Sequence, residues 1–307
     1  MRQGVCPAAQ CLIKYKMREI KLEIDILLDG KTVGELLKNR LCVSSRQLTA
    51  LKKSGGILLD GMNVTVRAKV SAGQVLKICF EDEKPSENVV PVNIPLDILY
   101  EDDDILVVAK PKDMPIHPSA YNYDNTLGNA CMYYYRGTNF VFRPITRLDR
   151  DTTGVVIIAK NKLSATRLSE QMQNGGIKKT YLALLSQTPN NECGTVNAPI
   201  GRCDGSVIKR CVRDDGKEAL TEYCVREVRP DGTCVVKVCP ITGRTHQIRV
   251  HMAHIGCPLL YDYLYGTEIC GKTLFLHCAS VSFTHPVTGH SMTVECPVQK
   301  DSELNVL

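Results

Sequence analysis

The stretch RPITRLDRDTTGVVIIAK, residues 143–160, decides how the chain can fold. Its apolar second half, from Gly154 onward, predicts a buried strand. Four charged residues stand immediately before this strand: Arg147, Asp149, Arg150 and Asp151. Charges at the end of a buried strand cost free energy unless they are paired, so the same stretch is the first candidate for a functional site.

Further strand-like runs occur throughout residues 104–297, among them DILVVAK, TYLALL, TCVVKVC and SMTVECP. Only two segments in this part of the chain have clear helical patterns, residues 162–174 and 246–255, and glycine follows each of them. Many strands with scattered helices predict the α+β class, with a mixed, largely antiparallel sheet in a domain that covers residues 96–307.

Residues 18–80 predict a smaller α+β module. Alternating apolar residues over 20–26 indicate a half-buried strand. Residues 32–35 and 44–47 have the form of capping boxes, and each precedes a short helix. Asp60-Gly61 stands between two apolar runs, which is typical of a tight hairpin, and a further strand follows it.

Length and charge indicate two domains and a polyanionic partner. A chain of 307 residues holds one large or two ordinary domains. Residues 81–95 are acidic, contain proline and lack periodicity, so they predict a linker between residues 1–80 and the larger domain. Residues 31–80 carry nine Lys or Arg against two acids, a surplus larger than the +5 of the whole chain. The candidate RNA-binding residues on the second helix and its exit are Arg46, Lys52 and Lys53.

The chain has 15 cysteines, and their number and spacing argue against a disulfide framework. The count is odd, no C-x-x-C pair occurs and the N-terminus lacks the apolar core of a secretory signal, so we expect free thiols in a reducing compartment. No stretch approaches ~18 consecutive apolar residues. We therefore expect a cytoplasmic protein with no membrane partner. The sequence carries no signal of oligomeric state, and a monomer is the default expectation.

Two local patterns favour other chemistries. Residues 149–153 satisfy D-x-D-x-T, the aspartyl-nucleophile signature of haloacid-dehalogenase-like phosphatases, but in those enzymes the apolar strand precedes the motif and here it follows. A helix that carries His246, His251 and His254 could suggest a metal site. At about 100° per residue, however, His251 lies ~140° from the first and ~60° from the third, so the three side chains diverge.

Six segments in order resemble the RluA family of RNA pseudouridine synthases, from about residue 97 onward. They are YEDDDILVVAKPKDMPIHPS, RLDRDTTGVVIIAK, KKTYLAL, GRCDGSVIKRCVRDDGKEALTEY, TGRTHQIRVHMAHIGCPLLYDYLYG and LFLHCASVSFTHP. Residues 18–80 are similar to the small RNA-binding domain of the ribosomal S-four type, which two-domain members of the family carry at the N-terminus.

The resemblance implies a role for five residues. It makes Asp149 the catalytic aspartate, Arg147 the residue that takes the place of the flipped base, and Tyr181 the aromatic group on the uracil. Arg249 would be the ion-pair partner of the aspartate and Leu276 a hydrophobic residue of the pocket. One departure is visible, since the family usually has His where this sequence has Thr146.

The implied activity is the isomerisation of specific uridines in structured RNA. Because the uracil is detached, rotated and rejoined without redox change, the reaction needs no cofactor and no metal. Asp151, two residues after Asp149, would face the opposite way on an extended strand and is the lesser candidate. Large-subunit ribosomal RNA is the expected substrate and transfer RNA an alternative. A non-catalytic RNA-binding or ribosome-assembly factor on the same fold is the rival hypothesis.

Overall fold

A computed structural model of the chain describes residues 19–41, 43, 45–80, 89–119 and 122–298. Packing divides the chain into two compact units. One consists of Met1–Pro91 with Cys131–Phe142, and the other of Val92–Ala130 with Arg143–Leu307. The division between Pro91 and Val92 lies inside the segment predicted to be a linker.

The N-terminal unit has the predicted order of a strand, two helices, a hairpin and a strand. Its elements are β1 (Glu19–Glu23), α1 (Val33–Asn39), α2 (Ser45–Ser54), β2 (Ile57–Leu59), β3 (Met62–Asn63) and β4 (Val75–Cys79). The four strands form one antiparallel sheet in the order β1-β4-β2-β3. Leucines of both helices are buried in this unit, so the module has a hydrophobic core.

Capping and turn chemistry explain two of these boundaries. Thr32 and Glu35 form the predicted capping box: the Thr32 backbone N–H donates to Glu35 Oε2 at 2.7 Å, and the Glu35 N–H donates to Thr32 Oγ1 at 3.3 Å. Asp60 and Gly61 both have positive φ angles, 50° and 83°, as a two-residue hairpin of this type requires.

The predicted strand over residues 20–26 is wrong at its C-terminal end. β1 stops at Glu23, and the Asp25 side chain accepts the backbone N–H groups of Leu27 and Leu28 at 2.9 and 3.1 Å. An aspartate that bonds the following backbone favours a turn over an extended strand, which overrides the apolar alternation. Ser44, the first residue of the second predicted capping box, lies outside the described residues.

The described residues from 92 onward contain eleven further strands and three helices. The strands are β5 (Asp97–Glu101), β6 (Ile105–Lys110), β7 (Thr153–Ala159), β8 (Lys178–Leu185), β9 (Cys193–Asn197), β10 (Ile200–Arg202), β11 (Arg210–Val212), β12 (Leu220–Val228), β13 (Cys234–Pro240), β14 (Leu276–Thr284) and β15 (Ser291–Glu295). The helices are α3 (Leu127–Tyr134), α4 (Lys162–Gln173) and α5 (Gln247–His254).

The prediction of a mixed, largely antiparallel sheet in an α+β fold is confirmed. Nine strands pair in the order β5-β6-β7-β14-β8-β13-β12-β9, with β15 beside β14. The pair β7–β14 is parallel, and the other pairs in this sheet are antiparallel. β10 and β11 form a separate hairpin. No helix in the described ranges is long and apolar enough to cross a bilayer.

The strand predicted from residues 143–160 lies near the middle of this sheet. β7 runs between β6 and β14, and its residues from Gly154 onward are buried. Gly154 has a φ of 109°, and a Cβ there would lie 2.2 Å from the Cys278 carbonyl oxygen on β14. Only glycine permits this close approach, which brings the charged segment before β7 to the start of β14.

Helix α3 was missing from the sequence prediction. Thr126 and Asn129 cap its N-terminus reciprocally: the Thr126 N–H donates to Asn129 Oδ1 at 3.0 Å, and the Asn129 N–H donates to Thr126 Oγ1 at 3.3 Å. This arrangement is a capping box with asparagine in the position where glutamate or glutamine is usual. The sequence therefore does contain a helix-start signal at Thr126, but with asparagine in place of the glutamate or glutamine of the usual capping box.

The expectation that the cysteines are all free thiols is wrong at one pair. Cys193 on β9 and Cys224 on β12 form a disulfide, and ten other described cysteines are free. The two residues are directly opposite each other in the antiparallel register. Their 31-residue separation in sequence gives no spacing motif, so only the strand pairing brings them together.

Candidate active site

A cavity of about 750 Å³ opens in the second unit, where the segment before β7 meets β8, β14 and the start of α5. Its walls include all five of the residues that the family resemblance singled out for catalysis and substrate binding: Arg147, Asp149, Tyr181, Arg249 and Leu276. Arg46, Lys52 and Lys53 belong to the other unit. The side chain of Arg46 is outside the described part of the structure, whereas Lys52 and Lys53 are exposed in the last turn of α2.

Asp149 stands on the loop that leads into β7. Its side chain is 30% exposed, and its carbonyl oxygen accepts the Thr152 N–H at 3.1 Å. The expectation that Asp149 and Asp151 alternate on an extended strand is wrong, because the two residues lie in this turn. Asp151 nevertheless points elsewhere: it is buried, and its Oδ1 accepts a hydrogen bond from Arg150 Nε at 3.1 Å.

Arg249 is one of the largest fully buried side chains in the described chain. Its Nε and Nη2 donate to the two carboxylate oxygens of Asp262 at 2.8 and 2.7 Å, while its Nη1 lies 3.8 Å from Asp149 Oδ2. Burial works to lower the pKa of the guanidinium, but the bidentate bond to Asp262 outweighs it and the pKa is raised. Asp262 therefore holds Arg249 charged and in place beside Asp149.

Asp262 was not predicted from the sequence as the partner of this guanidinium. The residue lies 13 positions after Arg249, in the quoted segment YDYLYG. Its carboxylate is fully buried, and its Oδ1 also accepts the backbone N–H groups of Leu264 and Tyr265 at 3.0 and 3.2 Å. A lone aspartate between tyrosines gives no sequence signal of such burial.

Tyr181 is buried on β8 and contributes to the cavity wall. Burial raises the pKa of its hydroxyl well above the ordinary value, and the neighbouring Cys278 and Asp149 act in the same direction, so the phenol keeps its proton. Lys179, two residues earlier on the same face of β8, also lines the cavity. Burial lowers the pKa of the Lys179 ammonium. Lys179 was not among the candidate site residues predicted from the sequence.

His246 is a second group close to the aspartate. Its Nε2 lies 3.9 Å from Asp149 Oδ2, and its Nδ1 is 2.8 Å from the hydroxyl of Tyr265. The ring of Tyr265 lies 5.1 Å from the Arg249 guanidinium carbon. From the sequence, His246 was a candidate only as part of a histidine cluster. The second histidine of that cluster, His251, is buried and forms hydrogen bonds with Thr221 Oγ1 and the Ala198 carbonyl oxygen.

Lys110 supports the loop of Asp149 from behind. Its ammonium is buried and donates to three carbonyl oxygens, those of Pro111, Met114 and Arg150, at 2.7, 2.8 and 2.9 Å. Burial lowers the pKa of this ammonium to about 7, against the opposing effect of nearby aspartates. The lysine thus joins the turn after β6 to the residue that follows Asp149.

Thr146, the departure from the family pattern, has a structural contact. Its side chain is buried, and its Oγ1 accepts the Ile157 backbone N–H at 2.9 Å. The threonine therefore attaches the loop to β7 and is absent from the cavity wall.

Comparisons with known proteins identify relatives of this chain. Residues 104–254 match the family model described as RNA pseudouridylate synthase. The chain is 38% identical over 266 residues to the uncharacterized RNA pseudouridine synthase YjbO of Bacillus subtilis, covering 85% of this chain and 93% of that one. It is 35% identical over 297 residues to the ribosomal large subunit pseudouridine synthase D of Pseudomonas aeruginosa, covering 91% and 92%.

A solved structure is also similar. The human RNA pseudouridylate synthase domain containing 1 superposes with a TM-score of 0.56 and 30% identity, over 66% of this chain and 84% of the human chain. The family match includes Asp149, Tyr181 and Arg249 and ends before Leu276. On these relatives, the chain belongs to the RluA family of RNA pseudouridine synthases, isomerases that convert uridine to pseudouridine.

Proposed function

We propose that this isomerase uses Asp149 as its catalytic carboxylate on a uridine that has left the RNA stack. The observation that carries the proposal is a partly exposed carboxylate on the wall of a cavity of about 750 Å³, with a buried guanidinium behind it. An ionised carboxylate can attack or stabilise a sugar at its anomeric carbon, as glycosidases do.

The reaction conserves all atoms of the nucleotide. The bond from ribose C1′ to uracil N1 breaks, a new bond forms from C1′ to C5, C5 loses its proton, and N1 ends with one. Asp149 serves as nucleophile or base at the sugar. The Arg249 guanidinium, 3.8 Å from Asp149 Oδ2, attracts that carboxylate and helps to orient it.

The other cavity residues act on the base. Tyr181 lies against the uracil and offers a neutral hydroxyl near C5, and Leu276 provides an apolar contact. A uridine within structured RNA has to be extruded before it reaches the cavity, which costs a few kcal/mol. Arg147 is exposed next to Asp149 and is long and planar enough to fill the vacated position in the RNA.

The substrate we propose is large-subunit ribosomal RNA. The support is the name of relatives that match most of the chain, ribosomal large subunit pseudouridine synthase D. We assign RNA binding to the S-four-type module at residues 1–80, and chemistry to residues 96–307. Exposed Lys52 and Lys53, with Arg46, would neutralise phosphates without reading sequence.

Tritium release from RNA labelled at uridine C5 tests the proposal. We expect the wild-type chain to release tritium from in vitro transcribed large-subunit ribosomal RNA, and Asp149→Asn to bind the same RNA without release. Wild-type binding without release would support a non-catalytic RNA-binding factor instead. Release from transfer RNA alone would leave Asp149 in its role and overturn the substrate assignment.

A further inference from the structure

The backbone of His246 adopts a conformation that a residue with a side chain rarely takes. Its φ and ψ are 58° and 19°, in the left-handed region, immediately before α5. The His246 side chain makes no capping hydrogen bond to the helix, so helix capping does not explain this conformation. Strained conformations of this kind persist where the surrounding structure enforces them, often at functional sites, and here the result is an imidazole on the cavity wall.

The contact between Tyr265 and His246 bears on which imidazole nitrogen carries the proton. The Tyr265 hydroxyl oxygen accepts the backbone N–H of Arg210 at 2.9 Å and lies 2.8 Å from His246 Nδ1. Its single proton can be donated to the imidazole only if Nδ1 is unprotonated. In that arrangement Tyr265 donates to Nδ1 and the imidazole proton is on Nε2.

The protonated nitrogen is the one close to the catalytic carboxylate. His246 Nε2 and Arg249 Nη1 lie 3.9 and 3.8 Å from the same oxygen, Asp149 Oδ2. Both distances exceed those of a hydrogen bond, and catalytic hydrogen bonds are often long in a free enzyme and shorten when the substrate binds. Two donors on Oδ2 leave Oδ1 available to the ribose.

We propose that His246 is a positioning residue, a neutral Nε2–H donor that orients the Asp149 carboxylate for attack, and that the Tyr265 hydroxyl sets its tautomer. This inference rests on the proposed role of Asp149. It adds a chain of contacts from the backbone of β11, through Tyr265 and His246, to the catalytic carboxylate.

The electrostatic surroundings support a neutral imidazole. Burial lowers the pKa of His246 and, with Arg249 and Arg210 acting in the same direction, outweighs the raising effect of Asp149 and Asp262. Burial also raises the pKa of the Tyr265 hydroxyl to about 12, so that the phenol remains a donor.

Two substitutions at position 246 separate this role from a structural one. Glutamine places an N–H where Nε2 stands, whereas asparagine places its amide where Nδ1 stands. We expect His246→Asn to lower the single-turnover rate of tritium release by roughly tenfold or more, as for loss of a hydrogen bond to a charged group, and His246→Gln to retain most of the rate. RNA binding should be unchanged in both, and exposed His254→Asn serves as the control.

We expect the glutamine variant to be more active than the asparagine variant, which is the opposite of the order in which the two residues favour the left-handed backbone conformation. Asparagine adopts the left-handed conformation more readily than glutamine, so a purely structural role predicts that the asparagine variant is the more active and the more stable. Equal rates for the two variants, or a higher rate for His246→Asn, would overturn the proposal.

Nitrogen NMR of the histidine rings tests the tautomer without any activity measurement. In ¹⁵N-histidine-labelled protein at pH 7, we expect His246 to carry its proton on Nε2, and Tyr265→Phe to weaken that preference. Tyr261→Phe removes a hydroxyl from the same segment and should leave the signal unchanged. A proton on Nδ1 overturns this inference while leaving Asp149 as the catalytic residue. Absence of tritium release by the wild-type chain overturns both proposals.

Discussion

Two carboxylates flank the guanidinium of Arg249, and their surroundings are opposite. Asp262 is fully buried, accepts two short bonds from Arg249 and two from backbone N–H groups, and has no exposure to the cavity. Asp149 is 30% exposed and lies 3.8 Å from the remaining nitrogen. The difference teaches that an ion pair whose hydrogen bonds are all filled holds Arg249 in place, whereas the exposed Asp149 carboxylate has the accessibility that its proposed catalytic role requires.

The largest effect should follow from neutralising the exposed carboxylate. Asp149→Asn should reduce tritium release by at least roughly a thousandfold, because the neutral amide cannot serve as nucleophile or base. Its free energy of unfolding should change by less than about 0.5 kcal/mol, since its neighbours Arg249 and His246 lie beyond hydrogen-bond distance from the carboxylate. Parallel activity and urea-unfolding measurements test both parts, and retained release would break the comparison.

Neutralising the buried carboxylate of Asp262 should chiefly lower the stability of the fold. Asp262→Asn leaves the Arg249 charge buried without its main partner and should lower the free energy of unfolding by about 3 kcal/mol or more. A double variant with Arg249→Met and Asp262→Leu should recover much of that stability while remaining inactive. If Asp262→Asn were as stable as the wild type, Asp262 would not be the residue that holds the Arg249 guanidinium in position.

Lys110, which supports the loop of Asp149, should also affect both stability and catalysis, with a smaller effect on each. Lys110→Met removes three hydrogen bonds to carbonyl oxygens and should lower the free energy of unfolding by about 2–3 kcal/mol, because buried acceptors are left unsatisfied. Catalysis should fall more than RNA binding, since the loop of Asp149 loses its support. Lys112→Met, an exposed neighbour, should be neutral in both measurements.

The smallest effect on chemistry should come from the N-terminal unit. Replacing Lys52 and Lys53 by Gln should reduce the slope of log binding constant against log salt by roughly two, because two phosphate contacts are lost. The single-turnover rate at saturating RNA should not change. Replacing Lys31 and Lys69 removes equal charge from the same unit, and an equal loss of slope there would contradict a specific role for α2.

The candidate catalytic and substrate-binding residues of the cavity wall could be predicted from the sequence, but the buried groups that contact them could not. The charged stretch before β7 and the motifs of Tyr181 and Arg249 were visible as local patterns, because each stands at the edge of an apolar run. Asp262 and Tyr265 were missed because their functions depend on burial and on partners that local sequence does not encode. Lys110 was quoted within a Lys-Pro turn, yet its contact with Arg150 spans 40 residues.

Local chemistry in the amino-acid order was enough to predict the α+β class, the hairpin at Asp60-Gly61 and the capping of α1, whereas the family was predicted from the resemblance of its motifs. The first three features depend on propensity, hydrogen bonds between near neighbours and the period of apolar residues. Tertiary packing alone decided that Arg249 pairs first with Asp262, that Cys193 meets Cys224 and that His246 faces Asp149. Each of these contacts joins separate segments, so it exists only once sheet order and register are formed.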